Sequence, residues 1–368
     1  MRVLHLNAGN ETGGGMHHIL LLLNHLNREE FFLGVFEEGE LSRRANDLGI
    51  NITVFPQSSR LDISIINKIA DFVKENDIEI IHTHGARANL FGTLLKRRTG
   101  CKWISTIHSD PRDDFLGQGL KGKIFSFLNI WSIKRADHLL VISDKFKEMV
   151  QNNFRINENK ITTILNGIEF DLASNHPYSR DKFNLKEDDF VVIMVARLEK
   201  VKDHLTAFKA FQMALQRVPN IKLLLLGDGK EKENLRAEAE RLGVDDHVLF
   251  LFHRSDVIDI YPLADLAILT SISESFPLVL LEAARQGIPA ISTDVGGVAK
   301  MIPTSQQGWI LDVGDYEGIA ASLIEAVNLK EQDKLADMGR KFQEHCRSHF
   351  SIENQVKDIY DAYKRLVD

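Results

Sequence analysis

Cysteine and long apolar runs are scarce in this sequence. Only two cysteines occur among 368 residues, Cys101 and Cys346, far apart and outside any metal-binding spacing. That scarcity excludes a disulfide framework and suits a reducing compartment. No apolar stretch approaches the roughly 20 residues that span a bilayer, and Met1–Asn7 read as a strand rather than as a secretory leader. We therefore expect a soluble, cytoplasmic protein.

An excess of basic charge is also missing. Lys and Arg together number 45 against 52 Asp and Glu, which leaves a net charge of −7. Proteins that bind nucleic acids in general are normally basic, so we expect no nucleic-acid partner. The composition, 44% hydrophobic and 26% charged, is that of an ordinary globular protein. A chain of 368 residues is too long for one comfortable core, which predicts two domains.

Short apolar runs alternate with amphipathic helical patterns along the chain. The runs lie at 2–7, 33–38, 52–56, 78–84, 102–108, 138–143 and 161–167, and then at 191–196, 222–226, 248–252, 266–270, 289–293 and 309–311. Such alternation is typical of α/β proteins, in which helices wrap parallel sheets. The pattern restarts after Phe190, and the polar segment Glu169–Asp189 before it is predicted to be an interdomain linker.

The stretch 265–297 combines a strand, a loop, a helix from about Pro277 and a second strand, with Glu274 in the loop and Glu282 in the helix. A helix N-terminus beside the carboxyl end of a parallel strand favours an anion such as phosphate. The carboxylates would repel phosphate but could accept hydrogen bonds from a sugar or a ribose. The stretch therefore predicts a pocket for an anion and a polyol. The alternative is that Glu274 interacts with the helix dipole and Glu282 is solvated.

Two cations follow the first strand of the second sheet. Arg197 and Lys202 lie in the strand–helix loop, and Asp203 is placed to cap the next helix. An Arg fork and a Lys point charge at the carboxyl end of a strand suit a diphosphate. The alternative is a solvated loop in which Arg197 forms a surface ion pair with Glu199.

The first strand runs into three consecutive glycines, Gly13, Gly14 and Gly15, directly before a helix. Their backbone amides could approach an anion at this strand end, or the run could mark a flexible loop.

Histidines end two of the predicted strands. His82 and His84 lie on one face of a strand, and His108 closes the next strand. A zinc site would need a third ligand at a defined spacing, which the sequence does not show, so we predict no metal site. His84 and His108 are candidates for ligand contact because they lie at the binding edge of the sheet. The alternative is a set of hydrogen-bonded structural histidines.

The segment 120–135 carries apolar and aromatic residues interspersed with Lys121, Lys123, Lys134 and Arg135. A basic amphipathic helix of this kind can lie on an anionic membrane surface. The same apolar content also suits a helix packed on a sheet.

In their order along the chain, these motifs resemble the retaining glycosyltransferases of family 4. The resemblance covers essentially the whole chain and rests on the glycine run, Asn166–Glu169 (NGIE), Arg197-x4-Lys202, Glu274-x7-Glu282 within ESFPLVLLEA, and Asp294–Gly297 (DVGG). It implies the GT-B architecture, an α/β fold of two facing Rossmann-like domains with parallel sheets.

The same resemblance implies how the chain divides. Residues 1–170 would form the acceptor domain and 171–351 the nucleotide-sugar donor domain, with the C-terminal helix 352–368 crossing back to the first domain.

Each candidate residue also acquires an implied role. Arg197 and Lys202 would bind the diphosphate, Glu282 the ribose and Glu274 the donor sugar. His108 would lie close to the donor sugar and His84 near the acceptor. Backbone groups that would meet the donor belong to Gly14, Gly15, Phe276, Pro277, Leu278 and Val279.

The implied reaction is metal-independent hexosyl transfer with retention, without a cofactor. The donor would be a nucleotide-diphosphate sugar, most often UDP-linked in this family, and the acceptor a lipid-linked saccharide or another cell-envelope glycan precursor. Retention would proceed by same-face attack rather than by the two-carboxylate scheme of retaining hydrolases. A nucleotide-sugar epimerase of the same fold and a non-catalytic nucleotide- or glycan-binding protein are the alternatives. The absence of GxGxxG disfavours a nicotinamide oxidoreductase.

Overall fold

A computed structural model of the protein describes residues 1–10, 14–59, 62–112, 114–115, 119–174 and 176–368. The chain forms two compact units. The first comprises Met1–Asn166 together with Ile352–Asp368, and the second comprises Gly167–Ser351.

The first unit is built on a seven-stranded parallel sheet. Its strands are β1 (Val3–Asn7), β2 (Phe31–Val35), β3 (Ile52–Val54), β4 (Ile80–His84), β5 (Lys102–Ile107), β6 (His138–Val141) and β7 (Ile161–Thr163). The intervening helices are α1 (Gly14–His25), α2 (Glu40–Asp47), α3 (Ile65–Glu75), α4 (Ala86–Thr99), α5 (Gly119–Ile133) and α6 (Asp144–Phe154). The strand order β3-β2-β1-β4-β5-β6-β7 reverses direction between β1 and β4.

The second unit repeats this plan with six parallel strands. They are β8 (Phe190–Val195), β9 (Ile221–Leu226), β10 (Val248–Phe252), β11 (Leu266–Leu269), β12 (Ala290–Thr293) and β13 (Gly308–Leu311). Its helices are α7 (His204–Ala214), α8 (Lys232–Leu242), α9 (Val257–Ile260), α10 (Leu278–Arg285), α11 (Val298–Met301), α12 (Tyr316–Glu331) and α13 (Leu335–Phe350). The order β10-β9-β8-β11-β12-β13 reverses between β8 and β11.

Burial on both faces explains why the central strands read as nearly unbroken apolar runs. All residues of β1 and of β4 are buried, as are those of β8 from Phe190 to Met194. Helices cover both faces of the first sheet, and the buried apolar side chains form two separate clusters, one on each face.

The last helix, α14 (Ile352–Val367), belongs to the first unit. Its apolar face buries Ile359, Ala362 and Tyr363 in the same cluster as Ile19 and Leu22 of α1. The chain therefore leaves the first unit after Asn166 and returns to it for its final helix.

The predicted fold is confirmed: two Rossmann-like parallel sheets form, every predicted strand occurs, and the C-terminal helix returns to the first unit. Pro277 differs in detail, because it is the residue that precedes α10 rather than part of its first turn. Among the described residues, no helix is long and apolar enough to cross a membrane.

The polar segment predicted as a linker, Glu169–Asp189, packs on the second unit instead. Three of its apolar side chains, Phe170, Phe183 and Leu185, are buried. The hydroxyl of Tyr178 donates to a carboxylate oxygen of Asp256 at 2.5 Å. This segment lacks a regular spacing of apolar residues and is held by isolated side-chain contacts. Hydrophobic periodicity does not detect contacts of that kind.

Candidate functional site

The reversal of strand order in the second sheet brings two loops together at its carboxyl edge. The loop after β8 carries Arg197 and Lys202, and the loop after β11 carries Glu274. Thr270 Oγ1 donates to the backbone carbonyls of Lys202 and Asp203 at 3.1 and 2.9 Å, and the Ile272 amide donates to the Val201 carbonyl at 2.8 Å. Such switch points are where open α/β sheets bind ligands.

Lys202 and Glu274 form an ion pair between these loops. The Nζ–Oε1 distance is 2.5 Å, and the side chains are only 16% and 13% exposed. Ser271 Oγ donates to the same carboxylate oxygen at 2.7 Å. Because a lysine ammonium has three donors, Lys202 can keep this partner and still bind a phosphate oxygen. The pair therefore places a cation and a hydroxyl acceptor side by side.

Asp203 fixes the geometry of Lys202. It adopts a left-handed conformation, with φ +46°, and its side chain accepts from the Thr206 amide at 3.3 Å. The predicted cap of α7 is thus confirmed, and it turns the chain sharply after Lys202.

Arg197 is exposed, and its guanidinium donates to Glu199 at 2.7 Å with 69% of the side chain accessible. This is the surface ion pair that the sequence left open as an alternative. An exposed pair of this kind contributes about 0–1 kcal/mol, so Arg197 is free to exchange Glu199 for another anion at little cost.

Close backbone approaches shape the N-terminus of α10. A Cβ on Gly297 would lie 2.5 Å from the ring of Phe276, and one on Gly296 would lie 2.7 Å from the carbonyls of Glu274 and Ser275. The DVGG turn therefore packs directly on the loop that leads into α10. Pro277, the residue before this helix, makes no side-chain capping hydrogen bond, so the first-turn amides around Leu278 and Val279 suit an anion.

Glu282 is half-buried on α10 and accepts a hydrogen bond from the hydroxyl of Tyr261 at 3.2 Å. The same hydroxyl lies 3.1 Å from the carbonyl of Val279. Burial, with the Glu282 carboxylate second, raises the pKa of Tyr261 well above its ordinary value, which keeps the hydroxyl a donor. Tyr261 thus orients Glu282, a function that the sequence analysis missed.

The first unit gathers five histidines, His5, His18, His82, His84 and His108, around the carboxyl ends of β1, β4 and β5. Most of them belong to one hydrogen-bonded chain. His108 Nε2 lies 3.1 Å from His84 Nδ1, and His84 Nε2 lies 3.0 Å from His5 Nδ1.

The chain continues through Tyr363 of α14. Its hydroxyl lies 3.2 Å from His5 Nε2 and 2.6 Å from His82 Nδ1, and His82 Nε2 lies 2.7 Å from Thr106 Oγ1. The C-terminal helix therefore completes the network that ends at His108.

Burial keeps these rings neutral. It lowers the pKa of His5 to about 3 and that of His18 to about 4, and it lowers the pKa of His82, His84 and His108 well below the ordinary value. A neutral imidazole donates through one nitrogen and accepts through the other. The tautomer of His108 is consequently coupled to those of its neighbours.

His108 also lines a polar cavity of about 190 Å³ together with Asn89, Thr106, Asp114 and Asn129. A larger cavity, of about 1200 Å³, opens among Phe190, Asn220 and neighbouring residues. It lies at the amino ends of β8 and β9, and its described lining includes none of the predicted site residues.

The glycine run is described from Gly14, where α1 begins; Gly13 lies outside the described residues. Gly14 is exposed, and a Cβ there would have no atom of another described residue within 4 Å. Gly15 is half-buried in the first turn. Internal packing therefore does not require glycine at Gly14, and its contact with a ligand stays a prediction.

Two Rossmann-like units with a C-terminal helix that returns to the first define the GT-B class of glycosyltransferases. Sequence comparison gives the family. The model for "Glycosyltransferase Family 4" matches residues 12–172, and that for "Glycosyl transferases group 1" matches residues 176–345. Because the two matches follow one another over nearly the whole chain, the protein belongs to the family 4 type of glycosyltransferases, as the motifs predicted.

Characterised relatives are distant but nearly full-length. N-acetyl-alpha-D-glucosaminyl L-malate synthase of Bacillus anthracis is 27% identical over 82% of this chain and 78% of its own. The UDP-Gal:alpha-D-GlcNAc-diphosphoundecaprenol alpha-1,3-galactosyltransferase of Escherichia coli is 24% identical over 83% of this chain and 80% of its own. The crystal structure of Anabaena HepE with UDP superimposes with a TM-score of 0.83, at 20% identity, over all of both chains.

The residues that sequence reasoning missed share one property: their partners are distant in sequence. His5 and Tyr363 enter the hydrogen-bonded chain from β1 and α14, and the ring of His18 on α1 packs 4.8 Å from that of His108 between centroids. A histidine inside the apolar run VLHLN was the available signal for His5, because a buried polar side chain must find a partner.

Proposed function

We propose that this protein transfers a hexose from a UDP-sugar to a hydroxyl of a lipid-linked or other cell-envelope glycan precursor, with retention and without a metal cofactor. The observation that carries the proposal is the Lys202–Glu274 pair at the switch point, in which Glu274 lies in the loop that leads to the N-terminus of α10. Two neighbours in the comparisons support it. HepE has been crystallised with UDP and with UDP-glucose, and the E. coli relative uses a UDP-sugar and a diphosphoundecaprenol-linked acceptor.

In this proposal the second unit binds the donor. Lys202 and the first-turn amides of α10 bind the diphosphate, and Arg197 leaves Glu199 to join them. Glu274 accepts hydrogen bonds from the sugar, and Glu282, oriented by Tyr261, accepts those of the ribose. Departure of UDP develops negative charge on the diphosphate, and donors already directed at that position lower the barrier.

The first unit would bind the acceptor. His108 and the polar cavity beside it offer neutral donors and acceptors to sugar hydroxyls. His84 would act by holding His108 in one tautomer through the 3.1 Å hydrogen bond. The amides of Gly14 and Gly15 at the start of α1 would bind an anionic group of a substrate.

A lipid-linked acceptor also calls for a membrane surface, and α5 has the required character. Leu120, Ile124 and Phe127 lie on one face of this helix and are 76%, 51% and 66% exposed. Lys121 and Lys123 beside them are exposed as well. Apolar side chains flanked by lysines suit the headgroup region of an anionic bilayer.

The donor site is tested by UDP titration calorimetry. Lys202→Ala should weaken UDP binding by about 10–100-fold, the loss expected for a charge-assisted hydrogen bond. Glu282→Ala should also weaken it, through the ribose. Lys200→Ala, a neighbouring exposed lysine of the same loop, is the matched control and should bind normally. Unchanged affinity in both site variants would refute the assignment.

Glu274→Ala separates sugar from nucleotide. Binding of bare UDP should be retained, because Lys202 loses a competing carboxylate, while transfer from the UDP-sugar falls. An equal loss of affinity for bare UDP would contradict the assigned role. Accumulation of an isomerised sugar without acceptor would indicate the epimerase alternative instead.

Membrane contact is tested by co-sedimentation with vesicles that contain phosphatidylserine. The double variant Ile124→Ser/Phe127→Ser should reduce binding, and neutralising Lys121 and Lys123 should remove its salt dependence. Ile63→Ser, which alters an equally exposed apolar residue outside α5, is the control. Equal sedimentation of all variants would refute the contact.

A further inference from the structure

Three of the five clustered histidines, His18, His84 and His108, bring ring nitrogens close together. Their ring nitrogens lie within 4.8 Å of one another. We infer that these three histidines form a binding site for a first-row transition-metal cation such as Zn²⁺. The sequence predicted no metal because the third ligand, His18, comes from α1, far from the His82–His108 segment.

The spacing of two ligands already suits a metal. His84 Nδ1 and His108 Nε2 are 3.1 Å apart. Two imidazole nitrogens bound to tetrahedral zinc at about 2.0–2.1 Å are separated by about 3.3 Å. An ion between them would replace their mutual hydrogen bond, and a small closure of His18 would complete three-coordination.

His18 supplies the observation that points to a ligand. The ring is only 6% exposed, and its Nε2 is buried without a hydrogen-bond partner. Its Nδ1 lies 3.0 Å from Asn166 Oδ1 and 3.0 Å from the amide nitrogen of Gln355. Gln355 Nε2 also lies 3.3 Å from Asn166 Oδ1, so it can donate there instead.

That arrangement favours one tautomer of His18. If Nδ1 carries the proton and donates to Asn166, then Nε2 has a free lone pair. In the other tautomer Nε2 would be a buried N–H without an acceptor, and such unsatisfied donors are rarer and cost more free energy. A ring that donates through one nitrogen to an amide oxygen and directs the other inward is how metal-binding histidines are normally oriented. His84 is held similarly, with Nε2 3.0 Å from His5 Nδ1.

A second triad shows what a satisfied cluster looks like. His5, His82 and His84 also bring their nitrogens within 4.8 Å. However, both nitrogens of His82 are engaged, by Tyr363 and Thr106, and both nitrogens of His5 are engaged, by His84 and Tyr363. Only the triad with His18 leaves a buried ring nitrogen unpaired, among the residues that the structure describes. We therefore assign the metal to that triad.

The position of the site suggests its consequence. His108 lines the polar cavity of about 190 Å³, which offers a way in and room for water as a fourth ligand. A cation there would tie His84 and His108 to itself and so inhibit sugar transfer. This inhibition rests on the proposed function, whereas the binding of the cation does not.

The test is metal titration of the full-length chain, expressed without a polyhistidine tag and stripped with a chelator. Zn²⁺ affinity is measured by competition with a chromophoric chelator, and Co²⁺ spectra report tetrahedral nitrogen coordination. All measurements use a His349→Ala background, because His345 and His349 stack at 4.4 Å on the surface of α13 and could bind a second ion. One equivalent of metal is expected.

His18→Gln keeps most of the side-chain volume and should weaken Zn²⁺ binding by at least about tenfold. Asn166→Ala, which removes the partner of His18, should cost about 10–100-fold. His17→Ala is the matched control, because His17 is exposed on the same helix, and it should bind normally. Equal affinity in the His18 and His17 variants, or no binding beyond the background, would overturn the site.

The two proposals fail separately. Tight zinc binding with undiminished transfer would uphold the metal site and refute the role of His108 in transfer. Absent zinc binding with normal UDP affinity and transfer would refute the metal site alone.

Discussion

Replacing Tyr363 by phenylalanine isolates the contribution of one hydroxyl to the first unit. The side chain is fully buried on α14, and its hydroxyl lies 2.6 Å from His82 Nδ1 and 3.2 Å from His5 Nε2. Phenylalanine keeps the ring, which packs 6.1 Å from the ring of Phe31 between centroids. The substitution therefore leaves two buried ring nitrogens without a partner and changes little else.

The expected loss follows from that arrangement. Leaving a buried polar group unsatisfied costs about 1–3 kcal/mol. With two groups affected, and partial relaxation of the rings, we expect the unfolding free energy of the first unit to fall by at least about 2 kcal/mol. Exchange that requires unfolding should then accelerate about 30-fold, because about 1.4 kcal/mol corresponds to a factor of ten.

Hydrogen exchange measured by mass spectrometry resolves the two units. Peptides from β1 and β4 should lose protection in Tyr363→Phe, while those from β8 and β11 should not. Tyr360→Phe is the control, because Tyr360 is half-buried on the same helix and also packs on Phe31. Protection of β1 and β4 in Tyr363→Phe equal to that in the control would refute the importance of the hydroxyl.

Three further outcomes are expected. Below pH 6.5 the histidines of the unfolded chain bind protons, whereas the five clustered histidines of the folded first unit do not, because their pKa values are lowered. Stability is therefore lost as pH falls through the ordinary histidine pKa, by about 1 kcal/mol for each histidine that stays neutral. Among the described residues of the second unit, His204 is the histidine whose pKa is lowered in the same way. Hydrogen exchange should therefore show that the metal-free first unit opens before the second as pH falls. Simultaneous opening of both units would contradict this prediction. Gly92→Ala places a Cβ 2.5 Å from the ring of the buried Trp103. The overpacking should cost about 1–3 kcal/mol, which exceeds the gain in helix propensity, so the melting temperature should fall. An unchanged or raised melting temperature would contradict this prediction. Gly297→Ala places a Cβ 2.5 Å from the ring of the buried Phe276. This should displace the loop before α10, lower the melting temperature and weaken UDP binding; normal UDP affinity would contradict it.

Several features of the site were predictable because they depend on local pattern and parallel topology. The strands end at Val195, Leu269 and Thr293, close to where the apolar runs stop, and carboxyl ends of parallel strands share one edge. The proximity of Lys202 and Glu274 across that edge follows from this. Asp203 was recognisable as a helix cap because capping is a local interaction.

Partner choice was less predictable. Arg197 pairs with Glu199, one of two arrangements that the sequence allowed equally. The Tyr261–Glu282 hydrogen bond joins residues from different elements, and no spacing rule connects them. The anchors that hold Glu169–Asp189 on the second unit, such as Tyr178 with Asp256, are likewise isolated contacts.

The sequence by itself determined the class of fold, the sheet edge at which the proposed donor site lies and most residues of that proposed site. Those properties follow from hydrophobic periodicity and from the order of the elements, both of which can be read directly from the sequence. Only the tertiary structure decided the histidine network. His5 and His82 face each other through the register of β1 with β4, and Tyr363 reaches both from a helix at the end of the chain. Burial forces such polar groups to find partners, but which partners they find depends on packing in three dimensions.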